Sequence, residues 1–163
     1  MPFLVPIFQN NMAKYFDSES GLYAMPPTGP PGDIEGVMSP GTAHAWSESL
    51  ALGSAGIFPP SVTIPAAQLA MFGQLQTWSH ASDGNGAMLK AGIDLFYSVY
   101  ALGCLPLFAA IPPVQCPIDS NFQSGMDGLS HTDWAGNCGN SISDWLKTAS
   151  WINTVSGAGG TWT

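Results

Sequence analysis

The residues able to do chemistry are three histidines, three cysteines and eleven carboxylates, in a chain of 163 residues with only three basic side chains. Metal ligation is the first chemistry to consider. His44, His80 and His131 stand apart, and the nearest carboxylates make only His80-x-x-Asp83 and His131-x-Asp133, neither of them a zinc, iron or calcium ligand set. Asp83-Gly84-Asn85-Gly86 opens like a calcium loop, but Ala87-Met88-Leu89 follow where more oxygen ligands are needed, so it reads as a turn. Cys104, Cys116 and Cys138 are odd in number and lack C-x-x-C spacing, which supports neither a disulfide framework nor a zinc knuckle. They read as small buried hydrophobes of a chain folded in a reducing cytosol, with no metal and no cofactor expected.

Nucleophilic and acid–base catalysis fare no better. There is no G-x-S-x-G elbow, and His131 and Cys138 on one continuous helix would lie about 10 Å apart along its axis. Asp133 and Asp144, each next to a tryptophan, resemble a paired-carboxylate carbohydrate site. Eleven residues along one helix place them about 16 Å apart, too far for either glycosidase geometry. No Gly-rich run precedes Lys-Ser or Lys-Thr to cradle a phosphate. No catalytic residue is expected, and the chain is not read as an enzyme.

The elements that would carry these residues are helices. Pro40 to Ala55 forms a first, with Ser39 as cap, Pro40 in the first turn, Gly56 in the left-handed position after the end, and Ala43, Trp46 and Leu50 on a narrow apolar stripe. Thr63 caps a second helix running to about Trp78, with Pro65 in its first turn and Leu69, Phe72, Leu75 and Trp78 facing inward. A third, Ala87 to Leu105, carries Met88, Leu89, Ile93, Phe96, Tyr100 and Leu102 and becomes apolar all round, hence buried all round. A fourth runs from Thr132 or Asp133 to Lys147 with Trp134, Cys138, Ile142 and Trp145 at helical steps, weakened by Gly136 and Gly139. The expected fold is all-α: a small bundle of about four helices with long Pro/Gly-rich connectors and extended arms at both ends. Residues 1–40 form the Pro-rich N-terminal arm, 41–148 the helical domain and 149–163 an extended C-terminal tail.

Composition narrows the partners. A net charge of −8 with three scattered lysines (Lys14, Lys90, Lys147) argues against nucleic acid and against anionic membrane surfaces. MPFLVPIF lacks the basic start and cleavage site of a signal peptide. Leu95 to Ile111 is uncharged and nearly long enough to span a bilayer, but Pro106 interrupts it and no cation anchors it, so no membrane partner is expected. Only 9% of residues are charged while 11% are aromatic, a balance typical of surfaces that other proteins cover.

Several local patterns resemble a group of small structural proteins of tailed phages, chiefly those with contractile tails and large genomes. The patterns are Ala45-Trp46 opening a small-residue helix, Phe58-Pro59-Pro60-Ser61-Val62-Thr63 before an Ala-rich helix, Phe108-x-x-Ile111-Pro112-Pro113, Ile142-x-x-Trp145-Leu146-Lys147-Thr148, Ser156-Gly157 and Gly160-Thr161-Trp162. The resemblance spans residues 43–163, and the first 40 depart from it. It implies a virion component assembled in host cytoplasm, and it brings no catalytic residue with it. The expected role is tail or baseplate packing against other virion proteins, in multiple copies of a symmetric assembly. Phe3, Leu4, Phe8 and Tyr15 on the N-terminal arm and Trp151 and Trp162 on the C-terminal tail are the expected contacts. Deletion of 148–163 is then expected to spare the helices and abolish incorporation. Two alternatives stand beside this: a capsid-side, neck or decoration protein, and a small helical ligand-binding domain or enzyme with a Trp-lined pocket.

Overall fold

The structure, a computed structural model, describes residues 2–16, 33–34, 37–38, 40–76, 87–116 and 131–163. The described residues hold five helices: α1 (Val5–Phe16), α2 (Pro40–Ser54), α3 (Ile64–Leu75), α4 (Ala87–Leu102) and α5 (His131–Leu146). They also hold a two-stranded ladder of β1 (Asp33–Ile34) and β2 (Val37–Met38), and an antiparallel sheet ordered β3 (Phe108–Ile111), β4 (Ser150–Asn153), β5 (Gly159–Thr161). The fold is therefore mostly helical with a small sheet, and not purely all-α. The Pro26–Gly32 run, the Ser39 cap, Trp78 and the Ser79–Gly86 turn lie outside the described residues.

The first correction concerns the N-terminal region. Residues 5–16 are a helix, because Pro6 falls in its first turn and Phe8 and Met12 recur four apart to make a buried stripe. This helix packs between α2 and α5. Asn11 Nδ2 donates to Ser49 Oγ at 2.9 Å on α2, and Gln9 Nε2 donates to the Thr132 carbonyl at 2.9 Å on α5. The two glycines that weaken α5 as an isolated helix sit where α1 crosses it. A Cβ on Gly136 would lie 2.8 Å from Gln9 Nε2, and one on Gly139 would lie 3.1 Å from both the Phe8 ring and Val5. Close approach of two helices repays what glycine loses in propensity.

α2 is buried on nearly every side, against the expected narrow stripe. Ala43, Ala45, Trp46, Ser47, Ser49, Leu50 and Ser54 are all fully covered, since α1 lies on one flank and α3 on the other. α3 presents Ala67, Met71 and Leu75 to the core at four-residue steps, while Leu69, expected inside, is 72% exposed. Gly56 is not left-handed. It is glycine because Leu4 and the Pro2 carbonyl approach within 3 Å of where a Cβ would stand.

The segment from Ile57 to Thr63 straps the end of α4. Its prolines leave carbonyls that need donors, and the Tyr100 hydroxyl donates to the Pro59 carbonyl at 2.8 Å. In return, Ser61 Oγ donates to the Tyr100 carbonyl and Thr63 Oγ1 to the Val99 carbonyl, each at 2.6 Å, and Val62 N–H donates to the Gly103 carbonyl at 3.1 Å. The orphan carbonyls of the last turn of α4 are thus capped from another part of the chain. Thr63 does not cap α3 with its side chain, as the spacing predicts, because that hydroxyl is spent on α4. Gly103 has no room for a side chain, with Ser61 Oγ, Thr63 Oγ1 and the Thr63 backbone nitrogen all crowding its Cβ position.

α4 stops at Leu102 and not Leu105. Three tightened turns follow, Gly103 N–H to Tyr100, Cys104 N–H to Ala101 and Leu105 N–H to Leu102, before Pro106 withdraws its donor. The chain then extends as β3, pairing Ala109 with Ile152 and Ala110 with Trp151. Residues 149–163 are therefore strand, turn and strand of the same sheet and not a free tail. Their turn needs Gly157, at φ +72°, while Asn153 Oδ1 accepts the Val155 and Ser156 N–H groups at 2.9 Å. Gly157→Ala is expected to lower stability by about 1 kcal/mol through strain at positive φ, read as a shift in urea midpoint.

Candidate functional site

The centre of the protein is an aromatic cluster, and three of the residues expected at interfaces, Phe3, Phe8 and Trp162, belong to the core. Tyr97 is fully buried, with its ring 5.6 Å from Trp145, 6.1 Å from Trp162 and 5.0 Å from Phe96. Its hydroxyl is shared with Ser54 Oγ at 3.0 Å. Trp162, from the segment expected to dock on a neighbour, is 1% exposed, stacks 5.4 Å from Tyr100 and donates its indole N–H to the Ser150 carbonyl at 3.0 Å.

Phe3 and Phe8 are likewise buried, 5.6 Å apart, with Phe8 6.0 Å from Trp46. Leu4 is half-buried, and its N–H donates to the Gly53 carbonyl at 2.8 Å. The Tyr15 side chain lies outside the described residues. Trp151 is half-buried in a triad with Phe58 and Phe108, with centroids 5.0 to 5.5 Å apart and edges to faces. Phe3, Phe8 and Trp162 are thus corrected from interface to core. Helical spacing turns Phe8 inward, while Phe3 packs on Phe8 and Trp162 on Tyr97 and Tyr100.

Chemistry is sparse among the described side chains. His44 Nε2 lies 3.8 Å from Glu48 Oε2 on α2, and its ring meets Phe72 edge-on at 6.2 Å. No group of three potential metal ligands gathers among the described residues. All three thiols are buried and none is disulfide-bonded. Burial pushes the Cys104 thiol up to about 11 and holds Cys138 well above its usual value, so neither is a thiolate at neutral pH. We expect no thiol to react with an aromatic disulfide reagent near pH 8 in the native protein, and three to react once it is unfolded in guanidinium. Trp145, on the helix that the ligand-binding alternative makes a pocket wall, is buried against Tyr97 with its indole N–H on the Val114 carbonyl at 3.2 Å. The Trp134 side chain lies outside the described residues.

Asp94 on α4 accepts the Cys116 N–H at 2.9 Å and so holds the strand exit against the helix. Burial raises its pKa, outweighing the lowering by that hydrogen bond and by Lys90. A raised folded pKa means that the folded state holds the proton more tightly than the unfolded one. The associated stability is present at acid pH and is lost as pH rises through the folded value. Asp94→Asn, which keeps an oxygen for the Cys116 N–H, is therefore expected to raise the thermal midpoint near pH 7 and to give no gain near pH 3.

What the fold leaves outside is a face that carries no charge. No Asp, Glu, Lys or Arg occurs from Leu95 to Ile118 or from Thr148 to Thr163, and β3, β4 and β5 come from those two segments. Register places Phe108, Ala110, Trp151, Gly160 and Trp162 on the core side of the sheet. The opposite side shows Ala109, Ile111, Ser150, Ile152, Gly159 and Thr161. Antiparallel sheets with one wet face normally alternate apolar inside and polar outside. Here Ile111 is 57% and Ile152 49% exposed. A groove lies between the end of α4 and β3, lined by Leu102, 66% exposed, and Leu105, 50% exposed, beside Ala109, Ala110 and Pro112. The expectation that the end of α4 is buried on every side is thus corrected. The end of α4 and the outer side of the sheet thus each expose apolar, uncharged side chains.

No protein-family model, no curated protein and no solved structure matches this chain. No helix among the described residues is long and apolar enough to cross a membrane.

Proposed function

We propose that this chain is a structural component of a tailed-phage virion, in the tail or baseplate, acting by protein–protein packing and not by catalysis. The observation that carries the packing role is the exposure of uncharged apolar side chains at the end of α4, Leu102 and Leu105, and on the outer side of the sheet, Ile111 and Ile152. Such side chains are costly to leave in water, and depletion of charge is what buried interface cores share. The local patterns resembling small phage structural proteins supply the setting. In this reading the helices act as one small bundle that presents the sheet, and the partners are other virion proteins and further copies of the chain. Nucleic acid is not proposed as a partner, since three lysines in a chain of net charge −8 leave nothing to neutralise phosphates.

The test is the composition of purified particles. Quantitative mass spectrometry is expected to find the chain in a fixed integer ratio to tail proteins, and immunogold labelling to place it on the tail. Particles without the chain would sink the proposal, and label confined to the head would move it to the capsid.

A further inference from the structure

We infer that the free edge of β3, which faces α4 across a groove, takes up one extended, uncharged segment of another virion protein as an added strand. This rests on the reading of the chain as a packing protein and names the element that its partner supplies. The hydrogen-bond phase of the sheet fixes which groups the edge offers. Thr154 N–H donates to the Leu107 carbonyl at 3.0 Å, so Leu107, Ala109 and Ile111 turn their backbone groups toward β4. Phe108 and Ala110 turn theirs away from it. The Phe108 N–H bears out this phase, since it donates at 3.0 Å to the Cys104 carbonyl just beyond α4. Among the described residues nothing bonds the Ala110 N–H, the Ala110 carbonyl or the Phe108 carbonyl.

The groove has the shape of a strand. The side chains of Ala109 and Ala110 point to opposite faces of the sheet, yet both line it, so it runs along the edge of β3. Its other wall is one stripe of α4 and its exit, Ser98, Ala101, Leu102 and Leu105. That stripe spans about 10 Å, the length of roughly three extended residues. A volume of about 360 Å³ admits a backbone with small side chains, and no ionisable group lines it. A charged residue would lose its water there without gaining a partner. The unpaired backbone groups select a strand over a helix, whose own N–H and carbonyl groups are already paired. The recess selects a lone segment, because α4 stands beside the edge and a second copy, recessed in the same way, cannot bring its β3 edge to meet this one. Run antiparallel, the segment accepts the Ala110 N–H and donates alternate N–H groups to the Ala110 and Phe108 carbonyls. Pro112, which has no N–H, ends the ladder.

Amide hydrogen exchange of the full chain, resolved by heteronuclear NMR, reads the edge directly. In the free chain the Ala110 N–H is expected to exchange freely while those of Ala109 and Ile111 are protected. Slow exchange of Ala110 in the free chain would overturn the inference, because the chain itself or a second copy would already cover the edge. The probe is a capped five-residue peptide of alternating valine and threonine. It is expected to bind with a dissociation constant below about 1 mM, to shift the Ala110, Leu102 and Leu105 amides, and to slow Ala110 exchange by about tenfold. The same peptide N-methylated along its three central residues keeps its side chains and loses its donors, and it is expected to bind about tenfold more weakly or not at all. Equal binding of the two peptides, or binding of neither, would overturn the inference. Leu102→Lys, at an exposed position, should keep the parent circular dichroism and weaken the peptide by about tenfold through the charge it brings to the groove. Undiminished binding by that variant would place the peptide elsewhere and overturn the inference too. An edge that takes the peptide in a chain absent from virions defeats the proposed function and leaves this inference standing. A chain present in virions whose edge refuses the peptide does the reverse.

Discussion

Trp162→Ala is expected to remove about 3–5 kcal/mol of stability, a large share of the roughly 5–15 kcal/mol that holds a domain together. The indole is 1% exposed and lies against Tyr97 and Tyr100, and its N–H is satisfied by the Ser150 carbonyl. Alanine therefore loses both the buried area and a hydrogen bond, and it opens a cavity lined by tyrosines that helices hold in place. The backbone adds to the case, because the Trp162 N–H donates to the Ala149 carbonyl at 3.2 Å. Thr163 and Phe58 exchange two further bonds, at 2.6 and 3.1 Å. Deleting 159–163 would strip β5 from the sheet, release the strap over α4 and empty the centre of the core together. Far-UV dichroism and tryptophan fluorescence through a urea titration are the measurement. A tail that only docked on neighbours would give an unchanged midpoint for Trp162→Ala, and a change below about 0.5 kcal/mol would refute its place in the core.

Four of the five helices are legible in the sequence, and the reasons lie in particular residues. Prolines at 40 and 65 mark the starts of α2 and α3, and the Cys138, Ile142, Trp145 stripe of α5 is strong enough to survive two glycines. α1 is missed because the density of prolines through residue 40 hides a stretch from Val5 to Phe16 with only one, placed where a helix tolerates it. The sheet is missed because β3 lies about 40 residues before its partner β4 and every strand is three or four residues long. Phe-Ala-Ala-Ile shows no clear alternation until Trp151 and Ile152 are set opposite it. The exposed face was hidden for a related reason. Leu102 and Leu105 continue an apolar helix and so look like core, whereas the helix ends at Leu102 and turns them outward. The usable signal is the pair of uncharged stretches, 95–118 and 148–163, from which the three strands of the sheet are drawn.

Phe8→Ala is the sharpest test that the N-terminal region belongs to the core, with an expected loss of about 3–5 kcal/mol. Phe8 is fully buried, touching Phe3 and Trp46 on the α2 side and facing Gly139 on α5, so one ring fills the space where three helices meet. Gly139 offers a second variant whose effect depends on the first. In the parent chain an alanine there gains helix propensity worth about 1 kcal/mol but presses on the Phe8 ring and on Val5. With Phe8 shortened, half of that pressure disappears and the new methyl enters the vacated space. Gly139→Ala is therefore expected to be more favourable in the Phe8→Ala background than alone, by roughly 0.5–1 kcal/mol of coupling. Urea denaturation of the four proteins gives the number directly. Strict additivity would mean that α1 and α5 do not cross at this point, and a negligible effect of Phe8→Ala would return residues 5–16 to the status of an arm.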